Sequence, residues 1–315
     1  MRKVDVSIIV PMHNEARGLK NFLDGKLLPE IQKLKETTEV ILVDDGSTDE
    51  TYKIASETEL MKAVPTKLFS FVKNFGKEAA LSAGLEASEG DAVIMIDADG
   101  QHPAEAIPLM IEKWREGARI VTAVSKDKKT EHKFGSRTFY KIMRMLGNKS
   151  MIPGAMDFRL LDREVVDEMN KLREHNRIVR GLVDWLGYPQ EFIVVKVRKR
   201  KDGKPSYSRK KLIALAVDSF VSMSRTPLVF FGFLGVMITI LSGILGLFIL
   251  VQQYILGDPL GLDWAGAVAM GVLTTFLVGL LMISQSVTAL YISQIHSEAK
   301  GRPLYVIDKR KTKGL

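Results

Sequence analysis

Over the first 125 residues, short runs of branched apolar residues alternate with longer stretches whose apolar positions recur at helical spacing. Val6–Val10 (VSIIV), Val40–Val43 (VILV), Leu68–Val72 and Ala92–Ile96 (AVIMI) are short and nearly continuous in apolar character, which predicts strands buried on both faces. The intervening stretches Ala16–Lys35, Asp49–Ala63, Lys77–Ser88 and Pro103–Glu116 predict helices. Strand–helix alternation requires right-handed crossovers, hence an α/β fold with a mostly parallel sheet and helices on both faces. Ligands of such sheets bind at the carboxyl ends of the strands.

The pattern changes in the last third. Leu228 to Val251 is a run of 24 residues without a charge, about 36 Å long as a helix and enough to cross a bilayer core. A second uncharged run extends from Trp264 to Ser297 and is most apolar between Ala265 and Ile283. Soluble helices rarely lack a polar face for this long, so the two runs predict a C-terminal two-helix transmembrane hairpin within residues 227–297, with spans at about 228–251 and 264–292. Tyr254, Trp264 and Tyr291 fall near the span ends, where aromatic rings favour the interface. The connector Gln252–Asp263 contains Asp258 and Asp263 but no basic residue, whereas the basic tail 298–315 carries Lys300, Arg302, Lys309, Arg310, Lys311 and Lys313. The positive-inside rule then predicts an integral protein of the inner or plasma membrane, with residues 1–205 and the tail both cytoplasmic. Residues 206–226 predict an amphipathic juxtamembrane helix linking the two parts. The apolar run Ser7–Met12 is too short for a signal peptide, and Asp5 interrupts its approach.

Composition narrows the partners. Hydrophobic residues at 46% and charged residues at 26% exclude a wholly disordered chain. A formal net charge of +8 favours an anionic partner such as a sugar nucleotide, a lipid headgroup or nucleic acid. The positive charge collects beside the spans instead of on a separate module, which makes nucleic acid the weakest of the three. The chain has no Cys, so disulfide scaffolds, thiolate metal sites and Cys nucleophiles are excluded.

Polar clusters stand where the sheet rule places ligands. The first strand runs into Pro11-Met12-His13-Asn14-Glu15, the second into Asp44-Asp45-Gly46-Ser47-Thr48-Asp49, and the fourth into Asp97-Ala98-Asp99-Gly100-Gln101. Some of these residues fit helix starts: Ser47 with Glu50 has capping-box spacing, and Pro103 suits a first turn. Capping does not account for two carboxylates flanking Ala98. Asp97 and Asp99 suit a hard divalent cation, Mg2+ or Mn2+, completed by phosphate oxygens and waters. Such a cation neutralises charge building on a nucleoside diphosphate as it leaves.

PMHNE, VDDGSTD, NFGKEAAL and DADGQHP, in this order and spacing, resemble family 2 glycosyltransferases with the Rossmann-like GT-A fold. MDFRLLDR, RGLVDW and RKRKDGKPSYS, followed by two spans, resemble the polyprenyl-phosphate branch, which includes bacterial bactoprenol glucosyltransferases and dolichol-phosphate mannose synthases. The resemblance covers residues 4–295. It implies that Pro11, His13, Glu15, Asp44, Asp45 and Asp97 bind the nucleotide, and that Asp97, Asp99 and Gln101 surround the metal and diphosphate. Two departures stand out. His13 replaces a frequent Tyr, and Ser206 precedes Tyr207 where the family usually has Lys. Without a neighbouring His in sequence, His13 is not expected to bind metal. Lys77 fits either a phosphate contact or a helix start.

On the acceptor side, the resemblance implies that Asp157 lies beside the acceptor as a proposed base, and with Asp99 it is assigned to catalysis. An acceptor phosphate monoester is already largely dianionic at neutral pH, so an orienting role for Asp157 precedes proton removal. An ion pair of Asp157 with Arg159 or another nearby Arg is the structural alternative. A dianion approaching carboxylates needs basic neighbours, and Lys126, Arg137 and Arg200 are the expected contacts. Arg137, Lys141 and Arg144 share one helix face, which suits an anionic surface. The implied reaction is inverting transfer of one sugar, glucose from UDP-glucose first and mannose from GDP-mannose second, to a polyprenyl phosphate of the undecaprenyl type at the cytoplasmic face. A processive polysaccharide synthase would carry a Gln-x-x-Arg-Trp motif and more spans, and neither is present in the sequence. A non-catalytic nucleotide-binding scaffold leaves Asp97 and Asp99 without a purpose. A homo-oligomer is compatible with the sequence but not specified by it.

Overall fold

The computed structural model describes residues 4–125, 155–172, 174, 177–196 and 266–314, with scattered positions between 233 and 255. The chain divides into two compact units, Met1–Ser208 with Arg302–Leu315, and Arg209–Gly301.

The first unit is built on a seven-stranded sheet ordered β3-β2-β1-β4-β6-β5-β7. Its strands are β1 (Val6–Met12), β2 (Thr38–Asp44), β3 (Thr66–Ser70), β4 (Ala92–Met95), β5 (Ile120–Ser125), β6 (Ala155–Asp162) and β7 (Gln190–Val195). β1 pairs in parallel with β2 and β4, β2 with β3, and β5 with β7, while β6 runs antiparallel between β4 and β5. The four strands expected from the apolar runs are present, and the sheet is mostly parallel. Its one reversed strand, and β5 and β7 beyond it, are additions to the sequence reading. Alternation along β1 and β2 explains the layers. Val6, Ile8, Val10, Val40 and Leu42 enter one buried cluster, and Ile9, Ile41 and Val43 enter another.

Helices follow the strands. α1 (Leu19–Phe22), a π-helical turn (Leu23–Leu27) and α2 (Leu28–Gln32) follow one another where a single helix is expected. The predicted helix at 49–63 is divided into α3 (Thr51–Ser56) and α4 (Glu59–Ala63), because Thr58 is extended and its hydroxyl donates to the Ala55 carbonyl at 3.0 Å. α5 (Lys77–Ala87) lies against β1, so closely that a Cβ on Gly84 would run into the Ile9 side chain. A short 3-10 turn (Ala104–Ala106) leads into α6 (Ile107–Arg115), and α7 (Arg163–Lys171) and α8 (Val179–Leu186) complete this unit's named helices.

The expected Ser47–Glu50 capping box does not form. Asp49 takes the start of α3 instead, its Oδ1 accepting from the Thr51 amide at 3.0 Å, and the Ser47 hydroxyl accepts from the Asn14 amide at 3.0 Å. Ser47 is therefore a clamp between the β1 and β2 loops.

Most of the basic tail is part of the first unit, to which residues 302–315 belong. Leu68 and Lys313 exchange two backbone hydrogen bonds of 2.9 Å, and the Asp308 amide donates to the Ser70 carbonyl at 2.8 Å. Tyr305 stacks on Phe71 with ring centroids 4.9 Å apart, and its hydroxyl donates to Glu86. The segment lines the outer edge of β3, which would otherwise present unpaired backbone groups.

In the second unit, α9 (Gly266–Ala299) has 34 residues. Its Leu277–Ala299 portion has a mean hydropathy of 1.4 and buries none of its length. Among the described residues it is the one helix long and apolar enough to cross a bilayer. Described positions between 233 and 244 are helical, but most of the first expected span lies outside the described residues.

Candidate active site

The carboxyl ends of β1, β2 and β4 converge as parallel neighbours. Asn14, one of the few non-glycine residues suited to positive φ, adopts φ 55° there. Its side-chain oxygen accepts from the Thr48 amide at 2.9 Å, so the loops after β1 and β2 form one ledge. Pro11, two positions before His13, is buried within β1 opposite Val43, and Glu15 donates its amide to the Thr51 hydroxyl at 2.9 Å. The His13 Nδ1–H donates to the Asp45 carbonyl at 2.8 Å, which leaves Nε2 to accept from the Asn74 and Asn14 amides at 2.9 and 3.1 Å. With both nitrogens engaged, His13 shapes the pocket and has no lone pair turned toward a metal.

Asp44 and Asp45 are buried, and each of their carboxylate oxygens accepts from a protein donor. Asp44 accepts from the Ser47 amide at 3.1 Å and from the Ser70 hydroxyl at 3.0 Å. Asp45 accepts from the amides of Phe75 and Gly76 at 2.6 and 2.9 Å. Burial pushes the Asp45 carboxyl up, opposed by these two amides. Gly46 is needed between this ledge and the next loop: it has φ 60°, and a Cβ would run into the Lys73 backbone.

Asp97 and Asp99 follow β4, separated by the buried Ala98. The two oxygens of Asp97 take the Lys77 ammonium at 2.6 and 2.8 Å, and Lys77 also reaches Asp157 Oδ2 at 3.0 Å. One side chain thus joins the end of β4 to β6. Burial works against the Lys77 ammonium, but the Asp97 and Asp157 carboxylates outweigh it and raise its pKa. Asp99 Oδ1 accepts from the Gln101 amide at 3.0 Å. These residues offer hard oxygen donors. Among the described residues no three His, Cys, Asp or Glu side chains gather as a ready-made metal cluster. A small hard cation that keeps waters and takes phosphate oxygens fits such a sparse site, with Asp97, Asp99 and Gln101 able to hold it.

His102 lies beneath this loop, stacked on Phe158 with centroids 5.5 Å apart. Its Nδ1 accepts from the Asp97 amide at 3.4 Å, which puts the ring proton on Nε2, 4.0 Å from Asp97 Oδ2. Burial lowers the His102 pKa, against the pull of Asp97 and Asp99. An unfolded imidazole gains a proton below about pH 6.5, which the folded one resists, so stability falls as pH drops through that value. The melting temperature of wild type is expected to drop further between pH 7.5 and 5.5 than that of His102→Phe, as read by differential scanning fluorimetry at about those two values.

Across the cleft, Asp157 meets Arg180 Nε at 4.0 Å as well as Lys77. Of the arginines expected as alternatives, Arg180 is therefore the one that meets Asp157, while Arg159 pairs with Asp184 at 3.4 Å. Burial favours the neutral acid at Asp157, but Lys77 and Arg180 overcome it and lower its pKa. Glu78 accepts from the Val179 amide at 2.8 Å and so pins the start of α8, the helix that carries Arg180. Arg180, Glu78, Asn74 and His102 are functional or supporting residues not picked out individually from the sequence. All four sit inside motifs that were, RGLVDW, NFGKEAAL and DADGQHP. Lys126, Arg137 and Arg200, the expected acceptor-phosphate contacts, lie outside the described residues, as do Lys141, Arg144 and the 206–226 helix.

A mostly parallel sheet with carboxylates at the ends of β2 and β4, and an antiparallel β6 bringing Asp157 to the same lysine as Asp97, is the architecture of a GT-A glycosyltransferase. The sequence profile of glycosyl transferase family 2 matches residues 7–170, and the chain belongs to that family. It is 34% identical to a bactoprenol glucosyl transferase of Shigella phage SfX over 310 residues, covering 97% of this chain and 99% of that one. It is 36% identical to an uncharacterized glycosyltransferase of Synechocystis, covering 96% of this chain and 95% of that one. Glucosyl-3-phosphoglycerate synthase from Mycobacterium tuberculosis, solved with Mn2+, UDP-glucose and phosphoglyceric acid, shares the fold at a TM-score of 0.51 and 20% identity, covering 70% of this chain and 78% of that one.

Proposed function

We propose that the protein transfers one sugar, glucose from UDP-glucose, to a polyprenyl phosphate of the undecaprenyl type at the cytoplasmic face of the membrane, with inversion at the anomeric carbon. The observation that carries this is the meeting of Asp97 and Asp157 on one Lys77 ammonium, within 3.0 Å, in a chain matched end to end by bactoprenol glucosyl transferases. Pro11, His13, Glu15, Asp44 and Asp45 form the nucleoside ledge, Asp44 and Asp45 through the loops that they hold. Mg2+ or Mn2+ at Asp97, Asp99 and Gln101 would supply charge neutralisation for the departing diphosphate. Asp157, kept ionised and weakly basic by Lys77 and Arg180, orients the acceptor. The lipid phosphate oxygen is itself anionic, forms the new bond to the anomeric carbon, and the bond to the diphosphate breaks on the opposite face. Lys126, Arg137 and Arg200 are the acceptor-phosphate contacts in this reading. A hairpin of spans at 228–251 and 264–292 holds the reaction at the bilayer, supported by the apolar surface of α9.

The test is a panel of radiolabelled nucleotide sugars with purified protein, Mg2+ or Mn2+, and undecaprenyl phosphate. Label should enter the lipid phase with UDP-glucose and stop on chelation. Transfer from GDP-mannose alone would reassign the donor, long polymer would mean a processive synthase, and no transfer with any donor would refute the enzyme reading.

A further inference from the structure

Lys77 does more than bridge two carboxylates. It engages both oxygens of Asp97, the carboxylate that a cation entering this site would need. Its backbone is fixed: Gly76 just before it has φ 101° and donates its amide to the buried Asp45, and Lys77 itself opens α5. Its side chain is one-third exposed, so it is not sealed into the core and has room to be displaced. Asp157 gives it a second anchor at 3.0 Å that survives release from Asp97.

From this geometry we infer that Lys77 is a built-in stand-in cation: it closes the Asp97 side of the site, and a divalent ion enters by displacing its ammonium toward Asp157. The inference rests on the reading of Asp97 and Asp99 as the cation carboxylates and adds a property to it. A divalent ion arriving alone must compete with a tethered positive charge and then sit beside it. An ion arriving with a diphosphate brings the negative charge that offsets both. Lys77 therefore couples cation binding to nucleotide binding, and by linkage the coupling is equal in both directions. The same displacement hands its charge to Asp157, so loading of the donor side is felt on the acceptor side.

The experiment measures Mn2+ binding by electron paramagnetic resonance of the free ion, using full-length protein in detergent, with and without UDP. Lys77→Gln should bind bare Mn2+ about tenfold more tightly than wild type, since a positive charge within a few ångströms is removed. The UDP-induced gain in Mn2+ affinity should shrink by a similar factor. Lys77→Arg, which keeps the charge, should match wild type in bare Mn2+ affinity, and circular dichroism melts of all three establish that the fold is retained. Bare Mn2+ affinity that is unchanged or weaker in Lys77→Gln overturns the inference while leaving the cation site standing. Failure of wild type to bind Mn2+ even with UDP overturns both.

Discussion

Asp99→Ala lowers sugar transfer to polyprenyl phosphate by about a thousandfold in kcat/KM, at the scale seen when a group stabilising leaving-group charge is removed. Asp97 alone cannot compensate, because a hard cation left with one of its two carboxylates loses half of the fixed negative charge that holds it. Asp99 is also partly exposed, with Oδ1 turned onto the Gln101 amide, so its loss leaves no buried charge unpaired and no cavity. The fold should therefore survive, and the melting temperature should stay within about 2 °C of wild type. Asp99→Asn separates charge from shape: it can still accept from Gln101 but should be nearly as impaired as the alanine variant. The measurement is initial-rate transfer from UDP-glucose at saturating Mn2+. Activity within threefold of wild type in either variant would remove Asp99 from the catalytic step.

Asp157→Asn lowers kcat by about a hundredfold and leaves the affinity for UDP titrated without a divalent ion unchanged within about twofold, the signature of a group that acts after the donor is bound. The side chain lies on β6, across Lys77 from the donor carboxylates, with Arg180 on its far side. The asparagine keeps one acceptor for Lys77 but loses the charge that balances two cationic side chains, and the acceptor then meets an electrostatically altered wall. Kinetics with varied lipid phosphate, alongside calorimetric titration of UDP, separate the two sides of the cleft. Equal losses in kcat and UDP affinity would move Asp157 to the donor side.

The polar clusters proposed as the donor side were legible as clusters because they follow strands whose apolar runs announce themselves. VSIIV, VILV and AVIMI locate β1, β2 and β4, and the polar clusters come directly after them. The residues proposed for the acceptor side were reached only through motif resemblance. β6 reads AMDFRLLD, where the buried Arg159 breaks the apolar run and the strand runs against its neighbours. β7 is an edge strand with Phe192 and Val194 exposed, so its hydrophobic pattern does not report burial. Contacts distant in sequence were out of reach. Lys77 and Asp157 are 80 residues apart, and local sequence does not say which carboxylate a helix-opening lysine will meet. The hydrogen bonding of Asp44 and Asp45 likewise depends on Ser70, Phe75 and Gly76, supplied by the following strand and loop.

The last residues of this chain border the same sheet that its first residues begin, with Lys313 paired to Leu68 and Tyr305 stacked on Phe71. A ribosome makes α9 before it makes that closing segment. The sheet-bearing unit therefore cannot finish maturing until the long apolar helix has been synthesised, and β3 keeps a bare flank until then. Birth order makes completion of the sheet's edge a later event than production of α9, so a nascent chain arrested upstream of residue 302 would carry an uncovered β3.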